Sequence, residues 1–286
     1  MYINIKILLN FVSICYYKKG DDTMKYIVDH DFHIHSTISP CCHDENQTPE
    51  TILKYAKDND YKAVCLTNHL WDESVKSVDE WHPEQKFSYI TKALPLPQDE
   101  KVKFLFGAEA EMDYNFTLGV SDEHIDFFDF ITVSTTHLHL EGYTVKKRPQ
   151  IPEEAAYLWL KRFEELLKKD LPWHKMGVSH LTGTHVFKAN HAKAVSLLKT
   201  NDLYNIFSEC AKKGVGIELN MKSLFNSEEE KEALLRPFFI AKECGCKFYF
   251  GSDAHKTEAL KTAKVNFENI VKLLDLSEND KFEINK

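Results

Sequence analysis

The sequence predicts an α/β barrel in which seven short strands alternate with longer helices around one closed parallel sheet. Short runs rich in Val, Ile and Phe alternate with amphipathic segments along the whole chain, and this alternation is typical of parallel sheets. The 286 residues show no second composition regime, which favours one large domain. The Gly-rich loops G-x-G-x-x-G and G-x-x-x-x-G-K-[ST], which would favour an open nucleotide-binding sheet, are not found in the sequence.

The strands are predicted from short apolar runs, most of them flanked by Gly, Asn or Asp. In chain order they are residues 26–33, 62–67, 102–108, 128–134, 176–179, 215–219 and 246–250. Helices are predicted between them. Thr48 and Pro49 provide a cap and a first-turn proline for one, and the others cover 152–169, 202–213, 227–243 and 257–274. Gly214 and Gly245 follow two of these helices, where a left-handed residue is favoured.

The first 23 residues differ in character from the rest. Residues 5–17 are mostly apolar, but the run is too short to span a bilayer and no small-x-small cleavage site follows it. Met24 begins a segment that reads as an ordinary start leading into a strand. We expect residues 1–23 to be an N-terminal extension and residues 24–286 to form a single barrel domain.

Composition and charge indicate which classes of binding partner the chain is suited to. The chain is 43% hydrophobic with a net charge of -8, and no basic tract favours nucleic acid or a membrane surface. Seven cysteines lack C-x-x-C or zinc-finger spacing. Free thiols in a reducing compartment are therefore expected, with a cytoplasmic location.

Side chains of metal-ligand type end every predicted strand. His33 and His35 form an H-x-H pair in the first strand, where residues i and i+2 point the same way. Because the carboxyl ends of barrel strands form one face, and that face carries the active site of α/β barrels, the side chains should converge there. Imidazole and carboxylate ligands suit Zn²⁺, Mn²⁺ or Fe²⁺. The strand-end residues, in chain order, are His33, His35, Asn68, His69, Glu109, His137, His180, Glu218, Asn220, Asp253 and His255.

These motifs resemble those of the polymerase and histidinol phosphatase family, the PHP domain, in the family's order from about residue 25 to 256. The resemblance implies a distorted (β/α)7 TIM-like barrel that binds two or three divalent ions, with Glu109 bridging two of them. It also implies eight metal ligands: His33, His35, His69, Glu109, His137, His180, Asp253 and His255.

Two positions depart from the family pattern. Cys41 stands eight residues after His33, where the family often has Asp or His. Cys41 is a candidate soft ligand, His43 is an alternative with a two-residue shift, and weak binding of the third ion is a further alternative. Asn68 replaces the Asp of the family's T-D-H motif, and we expect it to orient His69 through a hydrogen bond.

The function implied is hydrolysis of a small phosphate monoester by a metal-dependent phosphoesterase with a di- or trinuclear centre. Asp253, His255 and His180 are the predicted catalytic residues, and His255 or His180 would protonate the leaving alkoxide. A histidinol-phosphate phosphatase is one alternative, because Glu111 and its neighbours resemble that branch. A PHP-type phosphodiesterase or exonuclease and a non-catalytic metal-binding module remain open. An amidohydrolase is disfavoured, because the middle strands offer Glu109 and His137 rather than a bridging Lys.

Loops beyond the strand ends offer candidate substrate contacts. Lys146, Lys147 and Arg148 can either bind phosphate or form a solvated charge run, and Lys222 is a similar candidate. The insertion 70–101 is predicted to form a lid, whose tryptophans either line the substrate or pack the lid itself. The remaining histidines near the strand ends, His139 and His185, are expected to lie outside the ligand set.

Overall fold

The computed structural model describes residues 25–183, 191–220 and 227–284. Its strands form one sheet with only parallel pairings, in the order β1-β2-β4-β5-β6-β7-β8, with β3 beside β4. This confirms the predicted α/β TIM-like barrel. The strands are β1 (His30–Ile34), β2 (Ala63–Leu66), β3 (His69–Leu70), β4 (Lys103–Ala110), β5 (Phe130–Val133), β6 (Met176–Val178), β7 (Gly216–Leu219) and β8 (Lys247–Phe250).

The two ends of the sheet meet just beyond β8, so the barrel is nearly closed. Ile34 forms a parallel bridge with Ala254. The backbone N–H of Asp253 donates to the carbonyl of His33 at 2.7 Å, and that of His35 donates to the carbonyl of Ala254 at 3.1 Å. Closure therefore brings the H-x-H pair directly against the Asp-x-His pair from the other end of the chain.

The second predicted strand, residues 62–67, corresponds to β2, and the short strand β3 follows it; both pair with β4. Between β2 and β3, the backbone forms a hydrogen bond first to β1 and then to β4. Thr67 donates its N–H to the carbonyl of Ile34 at 2.8 Å, and the carbonyl of Asn68 accepts from the N–H of Glu109 at 3.1 Å. His69 consequently lies beside Glu109, at the carboxyl edge of the sheet.

The helices lie close to their predicted positions. Thr48 accepts a hydrogen bond from the N–H of Thr51 and caps the first helix, and Gly214 ends the helix before β7 with a left-handed φ of 76°. None of the helices in the described ranges has the length and apolar composition needed to cross a membrane. They are α1 (Pro49–Asp58), α2 (Phe87–Ile90), α3 (Pro152–Leu167), α4 (His191–Ser196), α5 (Thr200–Lys213), α6 (Glu228–Glu243) and α7 (Thr257–Leu274).

The barrel interior is layered from an apolar floor to a polar rim. Leu105, Cys65 and Tyr249 pack in one buried cluster. Since alternate residues of a strand face the same side, the positions four residues further along face the same interior. Those positions are occupied by Glu109, His69 and Asp253. The ligand-type residues therefore lie above the floor.

A β-bulge in β1 lets two adjacent residues face this interior. Asp31 pairs with Val64 and Ile34 pairs with Leu66, so β1 advances three residues over a stretch in which β2 advances two. Phe32 packs into the apolar floor, while His33, its neighbour, reaches the ligand layer. Bulges re-aim side chains in this way next to functional sites.

Candidate metal centre

The carboxylate of Glu109 lies at the middle of the candidate site. It is fully buried on β4, and ring nitrogens of five histidines surround its two oxygens. The nitrogen-to-oxygen distances are 3.4 Å for both His33 and His35, 2.9 Å for His69, 3.7 Å for His137 and 2.8 Å for His180. The predicted convergence of strand ends therefore occurs around one carboxylate.

Three groups of side chains in the described residues have ligand atoms within 4.8 Å of one another. The first and most buried is His33, His35, Glu109 and Asp253, and the second is His69, Glu109 and His137. Glu109 is common to both groups, and its bridging of two ions stays a prediction. The third group is His35, Cys41, His69 and His255.

Two carboxylates outside the predicted ligand set hold the imidazoles in place. An oxygen of Glu218 lies 2.6 Å from Nδ1 of His33, and its other oxygen accepts from the N–H of His180 at 2.6 Å. Both oxygens of Glu111 lie 3.0 Å from Nδ1 of His137. A carboxylate on one ring nitrogen fixes the proton there and leaves the lone pair on the other nitrogen for a metal.

The geometry of the centre fits a divalent cation. Nδ1 of His33 lies 2.6 Å from Glu218, and its Nε2 faces the carboxylates of Asp253 at 3.7 Å and Glu109 at 3.4 Å. Carboxylates on both sides of one buried ring require positive charge, which either a proton on the ring or a cation at Nε2 would supply. Oε2 of Glu109 and Nδ1 of His69 are buried without a hydrogen bond, although they lie 2.9 Å apart. Both residues could contribute these atoms to a divalent cation, which would satisfy both atoms.

The electrostatics of the centre also favour positive charge. Burial by itself lowers the pKa of His33, but the carboxylates of Glu218 and Glu109 outweigh it and raise the pKa well above the ordinary value. Burial by itself raises the pKa of Glu109, but His69, His33 and His137 bring it well below its usual range. The carboxylate is therefore ionised at neutral pH.

Two residues of the centre have a left-handed backbone, which is uncommon for residues other than glycine. The φ angle is 30° at His180 and 49° at Asp253. Such conformations cost about 1–3 kcal/mol and persist where the surrounding structure enforces them. Here the N–H of His180 is bonded by Glu218 and that of Asp253 by the carbonyl of His33, so the same contacts that shape the site enforce its backbone.

The eight predicted ligands all lie in this region, and the three predicted catalytic residues differ in exposure. His180 is buried, with Nδ1 2.7 Å from Oγ1 of Thr136, and Asp253 is also buried. The side chain of His255 is 28% exposed and is the most open of the three. Burial and the neighbouring ring of His35 lower the pKa of His255 to about 3, which keeps its ring neutral and able to bind metal.

The expectation for Asn68 is wrong. Its side-chain oxygen accepts from the N–H of Ser36 at 2.9 Å, and its amide donates to Oγ of Ser36 at 3.2 Å, because alternate side chains of a strand point to opposite sides. Glu111 approaches the ring of His69 instead, with Oε1 3.1 Å from Nδ1. Strand periodicity was the available signal for Glu111, which follows Glu109 by two residues, whereas Glu218 was expected at a strand end but its partner His33 lies 185 residues away.

The remaining candidates lie outside the cluster around Glu109. His43 is exposed, whereas Cys41 belongs to the third ligand group. Arg148 donates from Nη2 to the carbonyl of His139 at 2.7 Å, and Lys146 and Lys147 are exposed. The predicted candidates Lys222 and His185, like the extension 1–23, lie outside the described residues.

The tryptophans of the 70–101 insertion pack against each other. The rings of Trp71 and Trp81 stack with centroids 4.6 Å apart, and both side chains are buried. Tyr143 packs edge-on against Trp81 at 5.1 Å. Their burial favours packing of the insertion over contact with a substrate.

Comparisons with known proteins agree with this architecture. The sequence profile of the PHP domain matches residues 31–222, and no curated protein matches the sequence closely enough to count as a relative. Histidinol phosphate phosphatase from Lactococcus lactis subsp. lactis Il1403, solved with zinc, L-histidinol and phosphate, has a TM-score of 0.56 and 17% identity. That match covers 89% of this chain and 98% of the other, and at this identity it shows a shared fold alone.

A second solved structure, HPPK-DHPS from Plasmodium falciparum with pteroate, has 8% identity and a TM-score of 0.39. The match covers 96% of this chain and 55% of that protein. A score at this level carries no argument about this chain.

Proposed function

This chain belongs to the PHP domain family, and from that premise we propose that it is a metal-dependent phosphoesterase that hydrolyses a small phosphate monoester. The observation that carries the proposal is the buried carboxylate of Glu109 with ring nitrogens of five histidines between 2.8 and 3.7 Å from its oxygens. A packing role explains a single buried histidine, but it does not explain five around one carboxylate.

Divalent ions bound here would lower the pKa of a water and offset the charge that develops on phosphoryl oxygen. His33, His35, His69, Glu109, His137, His180, Asp253 and His255 would hold two or three of them, with Zn²⁺, Mn²⁺ or Fe²⁺ compatible with the donor set. Glu218 and Glu111 hold the rings of His33 and His137 in the orientation that ligation requires.

The catalytic roles follow from exposure. His255, with 28% of its side chain exposed, is the most open of the three and is proposed to lie near the leaving group, while the buried Asp253 and His180 are proposed to position the reacting groups. A histidine that donates its lone pair to an ion is unable to act as the acid at the same time. Because its pKa of about 3 keeps the ring of His255 neutral and suited to a metal ion, we propose that His180 protonates the leaving alkoxide when it does not bind an ion.

The substrate is proposed to be a small phosphorylated metabolite. Histidinol phosphate is the first candidate to test, because the Lactococcus lactis protein of similar fold was solved with L-histidinol and phosphate. A phosphodiester substrate is the second, since the same ions cleave diesters. Lys146, Lys147 and Arg148 are exposed and are the proposed cations for the phosphate.

Elemental analysis and turnover of an aryl phosphate monoester together test the proposal. Protein purified without chelator should contain two or three divalent ions per chain, and turnover should stop on chelation and return with Mn²⁺ or Zn²⁺. Glu109→Gln should lose bound metal and turnover, while Glu100→Gln, an exposed change before β4, should retain both. A metal-free wild-type protein with unchanged turnover would refute the proposal, and bound metal without turnover would favour the non-catalytic module.

We further propose that residues 24–286 are the complete catalytic unit and that residues 1–23 are an extension. Protein beginning at Met24 should bind the same number of ions and turn over at the same rate as the full chain. A loss of metal or turnover on removing residues 1–23 would contradict this division.

A further inference from the structure

We infer that Cys41 is a metal ligand, and that together with His255 it makes one position of the centre selective for thiophilic ions such as zinc. The inference rests on the proposed metal-dependent function and adds the identity of one ion to it.

The ligand atoms of Cys41 and His255 lie within 4.8 Å of each other and of His35 and His69. Of these four residues, Cys41 and His255 belong to this group alone, whereas His35 and His69 are shared with the two groups around Glu109. The thiol of Cys41 also contacts the ring of His69. The group therefore defines a position next to the buried centre rather than a separate site.

The ring of His255 is oriented for ligation. Its Nδ1 lies 2.9 Å from the carbonyl oxygen of Asp253, and since a carbonyl only accepts, Nδ1 carries the proton and Nε2 carries the lone pair. The ring stacks on that of His35 with centroids 4.1 Å apart and planes 18° apart. Stacking fixes the plane in which the lone pair lies.

The loop that carries Cys41 is held against the segment that carries His255. Cys42 donates from Sγ to the carbonyl of His255 at 3.1 Å. Gln47 donates to the carbonyls of both His35 and Ala254. These contacts hold the loop against both the end of β1 and the segment that follows β8, so Cys41 is positioned before any ion binds.

A second tie to the same segment comes from Asp44, whose carboxylate accepts from the N–H and the hydroxyl of Thr257 at 2.8 Å each. Near the thiol itself, Oγ of Ser39 lies 3.4 Å from Sγ of Cys41 and 3.2 Å from Nδ1 of His35. Ser39 thus links the cysteine to the first imidazole of its own group.

A thiolate and imidazoles form a donor set that favours zinc over manganese, because soft sulfur ligands select thiophilic ions while Mn²⁺ prefers oxygen. Ligation replaces the S–H bond with a sulfur–metal bond, and the proton leaves to solvent. The groups around Glu109 each contain a carboxylate and are the harder sites. The centre is therefore expected to hold unlike ions.

Cobalt substitution tests the assignment directly. Co²⁺ bound to wild-type protein should give the near-ultraviolet absorption of a thiolate-to-cobalt transition, and Cys41→Ser should lose it while Cys244→Ser, a change at another partly exposed thiol, keeps it. Cys41→Asp should retain the ion but change the preference, so that competition shifts from zinc toward manganese. Elemental analysis of each variant gives the ion count independently of activity.

Alkylation of thiols provides a second readout. Zinc should protect Cys41 from iodoacetamide, measured by peptide mass, and leave Cys244, another partly exposed thiol, unprotected. Cobalt binding without the absorption band, or a band unchanged in Cys41→Ser, would overturn the inference and leave the proposed function standing. A wild-type protein that binds no cobalt or zinc at all would refute the proposed function, and the inference with it.

Discussion

Replacing Glu218 by Gln is expected to weaken metal binding although Glu218 is not itself a predicted ligand. The carboxylate is fully buried and accepts two hydrogen bonds at 2.6 Å, from Nδ1 of His33 and from the N–H of His180. A glutamine side chain of the same shape has one acceptor oxygen and an NH₂ group. One of the two donors would then face another donor.

The expected loss of metal affinity can be worked out from this unsatisfied hydrogen-bond donor. A buried donor left unsatisfied costs about 1–3 kcal/mol, which corresponds to a factor of about 5 to 150 in an equilibrium constant. Loss of the partner of a metal-bound histidine typically weakens metal binding or activity by about 10–100-fold. The two estimates agree, so we expect Glu218→Gln to raise the metal dissociation constant about 10–100-fold.

Titration against a competing chelator measures the dissociation constant, and circular dichroism checks that each variant is folded. Glu100→Gln is the matched control, because it makes the same chemical change at an exposed position. If Glu218→Gln is folded and binds metal within about twofold of wild type, the carboxylate does not hold His33 in its ligating orientation, and the reasoning from hydrogen bonds to metal affinity fails.

Three further predictions concern the frame around the centre. Arg162 is buried and donates to four backbone carbonyls. Arg162→Met should therefore lower the free energy of unfolding by about 4 kcal/mol, at about 1 kcal/mol for each carbonyl, and an unchanged denaturant midpoint would argue against this. Burial by itself raises the pKa of Asp72, but hydrogen bonds from Ser121 and others lower it to about 2, from 3.8. This stabilisation is present above pH 3.8 and is lost as pH falls toward 2. Asp72→Asn should therefore lower the free energy of unfolding by about 1 kcal/mol at pH 7, after allowance for solvent screening, and the free energy of unfolding should fall less steeply between pH 3.8 and 2 than in wild type. An equally steep fall would count against this prediction. A Cβ at Gly251 would lie 1.9 Å from Oε1 of Glu218, so Gly251→Ala should yield folded protein, destabilised by about 1–3 kcal/mol, that has lost metal measured by elemental analysis; full metal content would contradict it.

The candidate site was predictable from sequence where its ligand-type residues form a recognisable pattern within a single strand. The H-x-H pair points two side chains the same way at the end of β1, whereas Asp253 has a left-handed φ of 49°. The predicted ligands around Glu109 do lie together. The roles of Glu218 and Asn68 were not predictable in this way. Glu218 bonds a histidine 185 residues away, and no local pattern specifies a partner at that separation.

The sequence by itself determined the barrel and the edge at which its ligands gather, because strand–helix alternation produces parallel strands and parallel strands share a carboxyl edge. The tertiary structure decided which atoms meet there. The bulge in β1 directs both Phe32 and His33 into the interior, and closure of the barrel places Cys41 beside His255. These contacts depend on register and closure, which are properties of the assembled sheet rather than of any one segment.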